Sequence, residues 1–130
     1  MTRVEGAHPP RAIVCDADRV SSHLIAEMLR QADFEVRVCN TAAECEAEAD
    51  REPADLIVTA ILLPDVDGLE LTRHLRALYP DIHILIVSAL RAAGRAIQAG
   101  ADSFLNKPIS PRQLVEAART LVLLGGIAPA

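Results

Sequence analysis

Five short apolar runs alternating with amphipathic stretches predict an α/β domain built on a doubly wound, parallel five-stranded sheet. Three observations carry that prediction. The runs are dense in Ile, Val and Leu and close on small or polar residues, as strands buried on both faces do. The stretches between them repeat apolar residues at helical spacing and start on capping residues. The joining segments are short and hold Pro, Gly or Asp. Such alternation places helices on both faces of one sheet, a three-layer (βα)5 arrangement. It leaves the strand order open.

Length and composition bound the rest. A chain of 130 residues makes one domain large enough for a real core. Hydrophobic residues make up 51% and aromatics only 2%, so Leu, Ile, Val and Ala must fill that core. A net charge of −5 argues against a nucleic-acid surface, which needs clustered Lys and Arg. No apolar run approaches the roughly 20 residues that span a bilayer, and the N-terminus lacks the apolar segment of a secretory signal. A cytoplasmic location is expected. Cys15, Cys39 and Cys45 lack metal spacing and are expected to be buried, reduced thiols. His8, His23, His74 and His83 form no pair at ligand spacing.

In order, residues 1–11 are expected to form a flexible tail, residues 12–125 the domain and residues 126–130 a second tail. Ala12 to Cys15 form the first strand, ending at Asp16. Asp18 caps a helix whose apolar stripe is expected at Val20, Leu24, Met28 and Leu29. Phe34, Val36 and Val38 alternate with charged residues, the pattern of a strand near the sheet edge. Thr41 and Glu44 make a capping box for a helix with a small inward face, Ala42, Cys45 and Ala49. Leu56 to Val58 form the central strand. After the Pro64–Gly68 loop, Leu71, Leu75 and Leu78 mark the third helix, which Pro80 ends. Ile82 to Val87 form a strand buried on both faces and closing on Ser88. A short helix over Arg91–Ala99 stops at Gly100, with Gly94 weakening it. Ser103 to Lys107 form the last strand. Ser110, Pro111 and Gln113 start a helix with Leu114, Ala117, Ala118, Leu121 and Leu124 on its apolar side.

Five segments recur in an informative order: AIVCD, DLIVTA, LPDVDG, ILIVSA and GADSFLNKP. Together they resemble the response-regulator receiver domain, over about residues 11–124. That resemblance implies the CheY-like, flavodoxin-like fold and a role in bacterial two-component signalling. In that family an acidic pair after the first strand and an acceptor Asp after the third hold Mg²⁺. The acceptor takes a phosphoryl group, and a Ser or Thr and a Lys grip its oxygens. By the resemblance, Asp16 matches the second acid, Ser88 the hydroxyl and Lys107 the ammonium. Cys15 replaces the first acid, and Ala60 replaces the acceptor.

The departures change the expected chemistry. Three carboxylates and one ammonium give such a pocket about −2, which favours a divalent cation; here the count is near zero. A thiol is soft and largely protonated, whereas Mg²⁺ prefers hard oxygen. Mg²⁺ binding and phosphorylation are expected to be lost, with Asp16 the residual ligand and Lys107 paired to it. Asp65 and Asp67 read as turn and cap residues rather than metal ligands. Thr59 is expected to point away from the pocket that Ala60 faces. Between Ser88 and Lys107 the chain is about three residues shorter than the family pattern, close to one helical turn.

The expected activity is therefore a stand-alone, phosphorylation-independent interaction module, not an enzyme. A histidine kinase, another response regulator or an output protein would be the partner, with a homodimer also open. By analogy with relatives, the contact surface would include Leu90, Ile97, Phe104 and Arg112. The rival reading is a working phosphoacceptor regulator whose Asp at position 60 was changed to Ala. A nucleotide-binding reading finds no glycine-rich loop after the first strand, and an enzyme reading finds no nucleophile beside a base.

Overall fold

The computed structural model describes residues 8–125; residues 1–7 of the expected N-terminal tail and the whole expected C-terminal tail, 126–130, lie outside the described residues. Strands β1 (Arg11–Cys15), β2 (Glu35–Cys39), β3 (Leu56–Thr59), β4 (His83–Ser88) and β5 (Ser103–Asn106) alternate with five helices. The helices are α1 (Arg19–Gln31), α2 (Ala42–Arg51), α3 (Gly68–Leu78), α4 (Ala93–Ala99) and α5 (Pro111–Leu124). Every strand pair is parallel and the order is β2-β1-β3-β4-β5. The direction of winding reverses between β1 and β3, so the carboxyl ends of those strands open a crevice. β1 begins at Arg11, which leaves the expected tail, and the Pro10 carbonyl accepts from Glu35 N at 2.9 Å.

Strand alternation sends consecutive side chains into two cores. Ile13, Cys15, Ile57, Ile84 and Ile86 meet Cys45, Leu71, Leu75 and Ala96 beneath α2, α3 and α4. Ala12, Val14, Leu56, Val58, Leu85 and Val87 meet Ile25, Leu29, Leu114, Ala118 and Leu121 beneath α1 and α5. β2 lies at one edge, as its half-polar pattern indicates, and β3 and β4 are buried throughout except at His83. Asp18, Thr41, Asp67 and Ser110 cap their helices, and both expected capping boxes form.

The expected apolar stripes need correction at four positions. On α1 the buried side is Ser22, Ile25, Ala26 and Leu29, while Val20 is 69% and Leu24 56% exposed and Met28 is half-buried. A serine on the core side hid the true stripe: its hydroxyl donates to the Arg19 carbonyl at 3.1 Å, which removes the cost of burying it. Leu78 and Leu124 are exposed because both occupy the last residue of their helices, beyond the sheet. α4 is shorter than expected, beginning at Ala93 with no side-chain cap, and Gly100 closes it in the left-handed region.

One side chain holds the end of the sheet opposite the crevice. Arg76 donates from Nε and Nη2 to the Gly100 carbonyl, from Nη1 to those of Pro80 and Ile82, and from Nη2 to Asp102 Oδ2. All five guanidinium donors find acceptors, in the fork geometry that suits arginine. Asp102 Oδ2 also accepts from Ile84 N at 2.8 Å, so the network fastens α3 and the turn before β5 to the start of β4.

At the crevice end, backbone contact sets a tighter limit. Gly68 N donates to the Ile61 carbonyl at 2.7 Å, and a Cβ added to Gly68 would run into the Ala60 carbonyl oxygen. It would also lie 2.8 Å from Ile61 Cα, so the obstruction is backbone that has no side chain to move aside. Gly68→Ala is expected to destabilise the fold by about 2–4 kcal/mol, because overpacking against backbone forces the β3–α3 loop to shift. Urea denaturation measures it, and a loss within about 0.5 kcal/mol would show that the loop yields freely.

Candidate functional site

The five residues singled out from the sequence lie along the carboxyl edge of the sheet. Asp16 follows β1, Ala60 follows β3, Ser88 ends β4 and Lys107 follows β5. With Ala17, Asp18, Leu62, Ala89 and Leu90 these four line a solvent-open cleft of about 260 Å³. Cys15, one residue earlier on β1, is buried beneath it and does not line the cleft. Its Sγ donates to the Thr41 carbonyl at 3.3 Å, on the α2 side of the sheet.

The two charged groups satisfy each other. Lys107 Nζ donates to Asp16 Oδ2 at 2.9 Å, as expected. The Asp16 side chain is 7% exposed and that of Lys107 29%, so the pair is only partly screened by solvent. The second carboxylate oxygen, Oδ1, accepts from Asp18 N at 3.0 Å and shapes the turn into α1. Between these ends sits Ala60, nearly buried, with its N–H donating to the Cys15 carbonyl at 2.9 Å. Ser88 Oγ accepts from Leu90 N at 3.1 Å, so its hydroxyl shapes the β4–α4 loop. Thr59 is fully buried and its hydroxyl donates to the Ala60 carbonyl at 2.9 Å, away from the cleft.

The donor set suits no hard divalent cation. Two carboxylates line the cleft: both oxygens of Asp16 are engaged, and Asp18 is turned to capping α1, its Oδ1 accepting from Val20 N and Ser21 N. Among the described residues, no three His, Cys, Asp or Glu side chains converge as a metal site. The thiols are no substitute. Burial, with smaller contributions from Cys15 and the nearby carboxylates, pushes the Cys39 thiol up to about 12. A hydrogen bond with Cys15 and burial also raise Cys45. Buried, protonated thiols are inert core residues.

Three residues that sequence reasoning missed organise the edge. Asn40 Nδ2 donates to the Asp16 carbonyl at 2.8 Å, tying the end of β2 to the cleft. Asn106 Nδ2 donates to the Ser88 and Leu90 carbonyls at 3.0 and 2.9 Å and closes the β4–α4 loop onto β5. Asp65 does more than turn the chain. Its carboxylate accepts from Ala42 N and Ala43 N, both at 2.9 Å, and so caps α2 from the β3–α3 loop. No local motif marks these residues, because each meets backbone atoms distant in sequence.

The wider expected surface is only partly continuous with the cleft. Leu90 lies on its rim, Ile97 is 52% exposed on α4, and Phe104 is half-buried on β5. Arg112 is exposed at the start of α5 and pairs with Glu116 at 3.1 Å.

The model of the response regulator receiver domain family matches residues 12–119. The chain belongs to that family. It is 35% identical over 120 residues to a protein-glutamate methylesterase/protein-glutamine glutaminase of Rhodospirillum centenum, covering 86% of this chain and 30% of that protein. It is 34% identical over 120 residues to the transcriptional regulatory protein AruR of Pseudomonas aeruginosa, covering 87% of this chain and 49% of that protein. The chain thus spans about half or less of the length of these curated relatives. Among solved structures, a CheY-like receiver domain protein of Methanospirillum hungatei superposes with a TM-score of 0.84 at 27% identity, covering 89% of this chain and 95% of that one. Receiver membership accounts for the five segments, the strand order and the crevice. No described helix is long and apolar enough to cross a membrane.

The Asp65 cap makes a pH-dependent prediction. Hydrogen bonds from Ala42 N and Ala43 N hold its carboxyl below the usual value of 3.8. A depressed folded-state pKa contributes stability above the unfolded value and loses it as pH falls through the folded one. Asp65→Asn is therefore expected to lower the urea midpoint at pH 7, with the gap to the parent protein closing below about pH 4. An equal gap at pH 7 and in strong acid would show that the charge on the cap contributes nothing.

Proposed function

We propose that this receiver domain acts as a protein-interaction module in two-component signalling without being phosphorylated on aspartate. The observation that carries the reading is the closed Asp16–Lys107 pair over the Ala60 methyl. In a phosphorylated receiver the carboxylates hold Mg²⁺ and the acceptor oxygen attacks phosphorus; a methyl group does neither. With Asp16 neutralised by the ammonium and Asp18 committed to capping α1, the cleft has little charge left to attract a divalent ion. Phosphorylation then has no means of biasing two conformations, and the domain presents one face to its partner.

Membership of the receiver family supports histidine kinases, other response regulators or output domains as the partner class. A cytoplasmic setting is part of the same proposal. We assign no catalytic role to the chain. The relative named for methylesterase and glutaminase activity extends well beyond the region that matches, and no nucleophile–base pair lines the cleft.

The experiment is incubation of the intact protein with a small acyl phosphate and millimolar Mg²⁺, read by intact mass. No phosphoryl adduct is expected on Asp16, Asp65 or Asp67, and Mg²⁺ alone should leave the melting temperature unchanged, since a ligand stabilises only by binding the folded state. A stoichiometric, base-labile adduct would overturn the reading. The rival, an otherwise intact phosphoacceptor domain, is tested by restoration. Ala60→Asp returns the cleft to about −1 and Cys15→Asp with it to about −2, which should restore Mg²⁺ binding stepwise. Partner affinity of the double variant should still change less than tenfold, about 1.4 kcal/mol, on adding acyl phosphate. A larger change would mean that only the acceptor was lost and the switch survives.

A further inference from the structure

All three cysteines of the chain meet at one place, and neither the cleft nor its ion pair uses them. Cys15 ends β1, Cys39 ends β2 and Cys45 lies on the inward side of α2. Cys15 and Cys39 are register partners on neighbouring parallel strands. Cys45 comes down on Cys15 from the helix layer, and a hydrogen bond joins the two thiols. Cys15 Sγ also donates to the Thr41 carbonyl at 3.3 Å, where α2 begins. Three separate elements thus gather every thiol of the chain into one buried cluster.

The sheet decides which two of the three can bridge. Neighbouring strands lie about 4.8 Å apart and hold in-register side chains nearly parallel. That spacing exceeds the roughly 3.8 Å between Cβ atoms that a disulfide prefers, and the backbone pairing of β1 with β2 keeps Cys15 and Cys39 from closing it. Cys45 is under no such restraint, because a helix can shift over a sheet. α2 turns only small side chains, Ala42, Cys45 and Ala49, into the core, so it buries little apolar area. Asp65 on its first N–H groups, His74 beside Glu46 and the Tyr79 hydroxyl beside Asp50 hold it by polar contacts near the surface. Such contacts add little each. A helix attached in this way opens locally at lower cost than the strands beneath it.

We infer that Cys45 and Cys15 form a reversible disulfide that fastens α2 to β1 beneath the cleft, with a small-molecule disulfide as the oxidant. While α2 is seated the thiols are shut away and inert. When α2 lifts, the Cys45 thiolate reaches solvent and attacks one sulfur of the oxidant. A mixed disulfide forms, and the oxidant's other half leaves as a thiolate. As α2 reseats, the Cys15 thiolate attacks Cys45 Sγ, and the second half of the oxidant leaves in turn. Two protein thiols have then lost two electrons and two protons, and the oxidant has taken up both as two thiols. Cys39 stays a thiol. A bridge made and broken in this way answers to the thiol–disulfide balance around the protein. It needs no phosphoryl group and no partner, so it stands apart from the reading of the cleft.

The test treats the reduced full chain with oxidised glutathione under native conditions, quenches in acid and alkylates the remaining thiols in denaturant. Intact mass should show a monomer lighter by two hydrogens and carrying one alkyl group. Peptide mapping should place the bridge between Cys15 and Cys45 and the alkyl group on Cys39. Reduced glutathione should reverse it. Cys39→Ser should keep the bridge, and Cys45→Ala, which leaves a small residue under α2, should abolish it. Asp65→Asn, which weakens the cap of α2, should speed bridge formation severalfold, because the helix lifts more often. Three alkylated thiols after prolonged exposure, a bridge that includes Cys39, linkage only between two chains, or bridging only in denaturant would each overturn the inference. An unchanged rate in Asp65→Asn would overturn it too, since access through α2 is part of it.

Discussion

The contact between Lys107 and Asp16 joins residues 91 positions apart and bridges from the strand at one edge, β5, to β1 across the crevice. It closes a sheet whose strands all deliver their carboxyl ends to one side. Removing either partner would leave the other charge partly buried without a counterion, a loss of roughly 1–3 kcal/mol before solvent relaxes in. Everything else at that edge is arranged around it. Asp18 N orients the carboxylate, Asn40 fixes the loop that carries it, and Asn106 ties the neighbouring β4–α4 loop to β5. A carboxylate at position 60 would compete with Asp16 for the same ammonium.

The two ends of the sheet are held by opposite chemistries. At the crevice end, one ion pair and a set of side-chain amides clamp loops that could otherwise move. At the far end, Arg76 gathers three carbonyls and one carboxylate into a single rigid knot. That knot matters because α4 is short and uncapped. Its attachment comes from Ala92, Ala96 and Ala99 in the core and from the Gly100 turn that Arg76 holds. A helix of alanines buries little apolar area, about 25 cal/mol for each Å², so anchoring the turn that follows it replaces packing that larger side chains would supply.

How much of this was legible in the sequence follows from where each interaction is made. Strands β3 and β4 announce themselves because a strand buried on both faces must be apolar at nearly every position, and few other elements read that way. Capping residues were legible because a cap bonds within three residues of itself, as Thr41 does with Glu44 N at 3.1 Å. The face of α1 was not legible. Val20, Leu24 and Met28 form as good a helical stripe as the true one, and only the position of the sheet decides between them. The roles of Asp65, Arg76 and Asn106 were missed for a related reason: apart from Asp102 beside Arg76, their partners are backbone atoms brought close by the fold, with no residue type to betray them.

The Asp16–Lys107 contact was legible as well, and Lys107 shows why. It is the only lysine in the chain, against twelve arginines. A sequence that uses arginine almost everywhere needs a reason to keep one ammonium, and the cleft supplies it. The group must reach one carboxylate oxygen from above a methyl, in a mouth that Leu62, Ala89 and Leu90 narrow. A compact ammonium can do that as a point charge, whereas a planar guanidinium brings five donors that need acceptors. Arg76 places all five donors on three carbonyls and a carboxylate at the other end of the sheet; Asp16 has one oxygen left to offer once Asp18 N is satisfied. The lysine therefore has a carboxylate to hold with alanine at position 60, and holding it ties the loop after β1 to the end of β5 across the crevice.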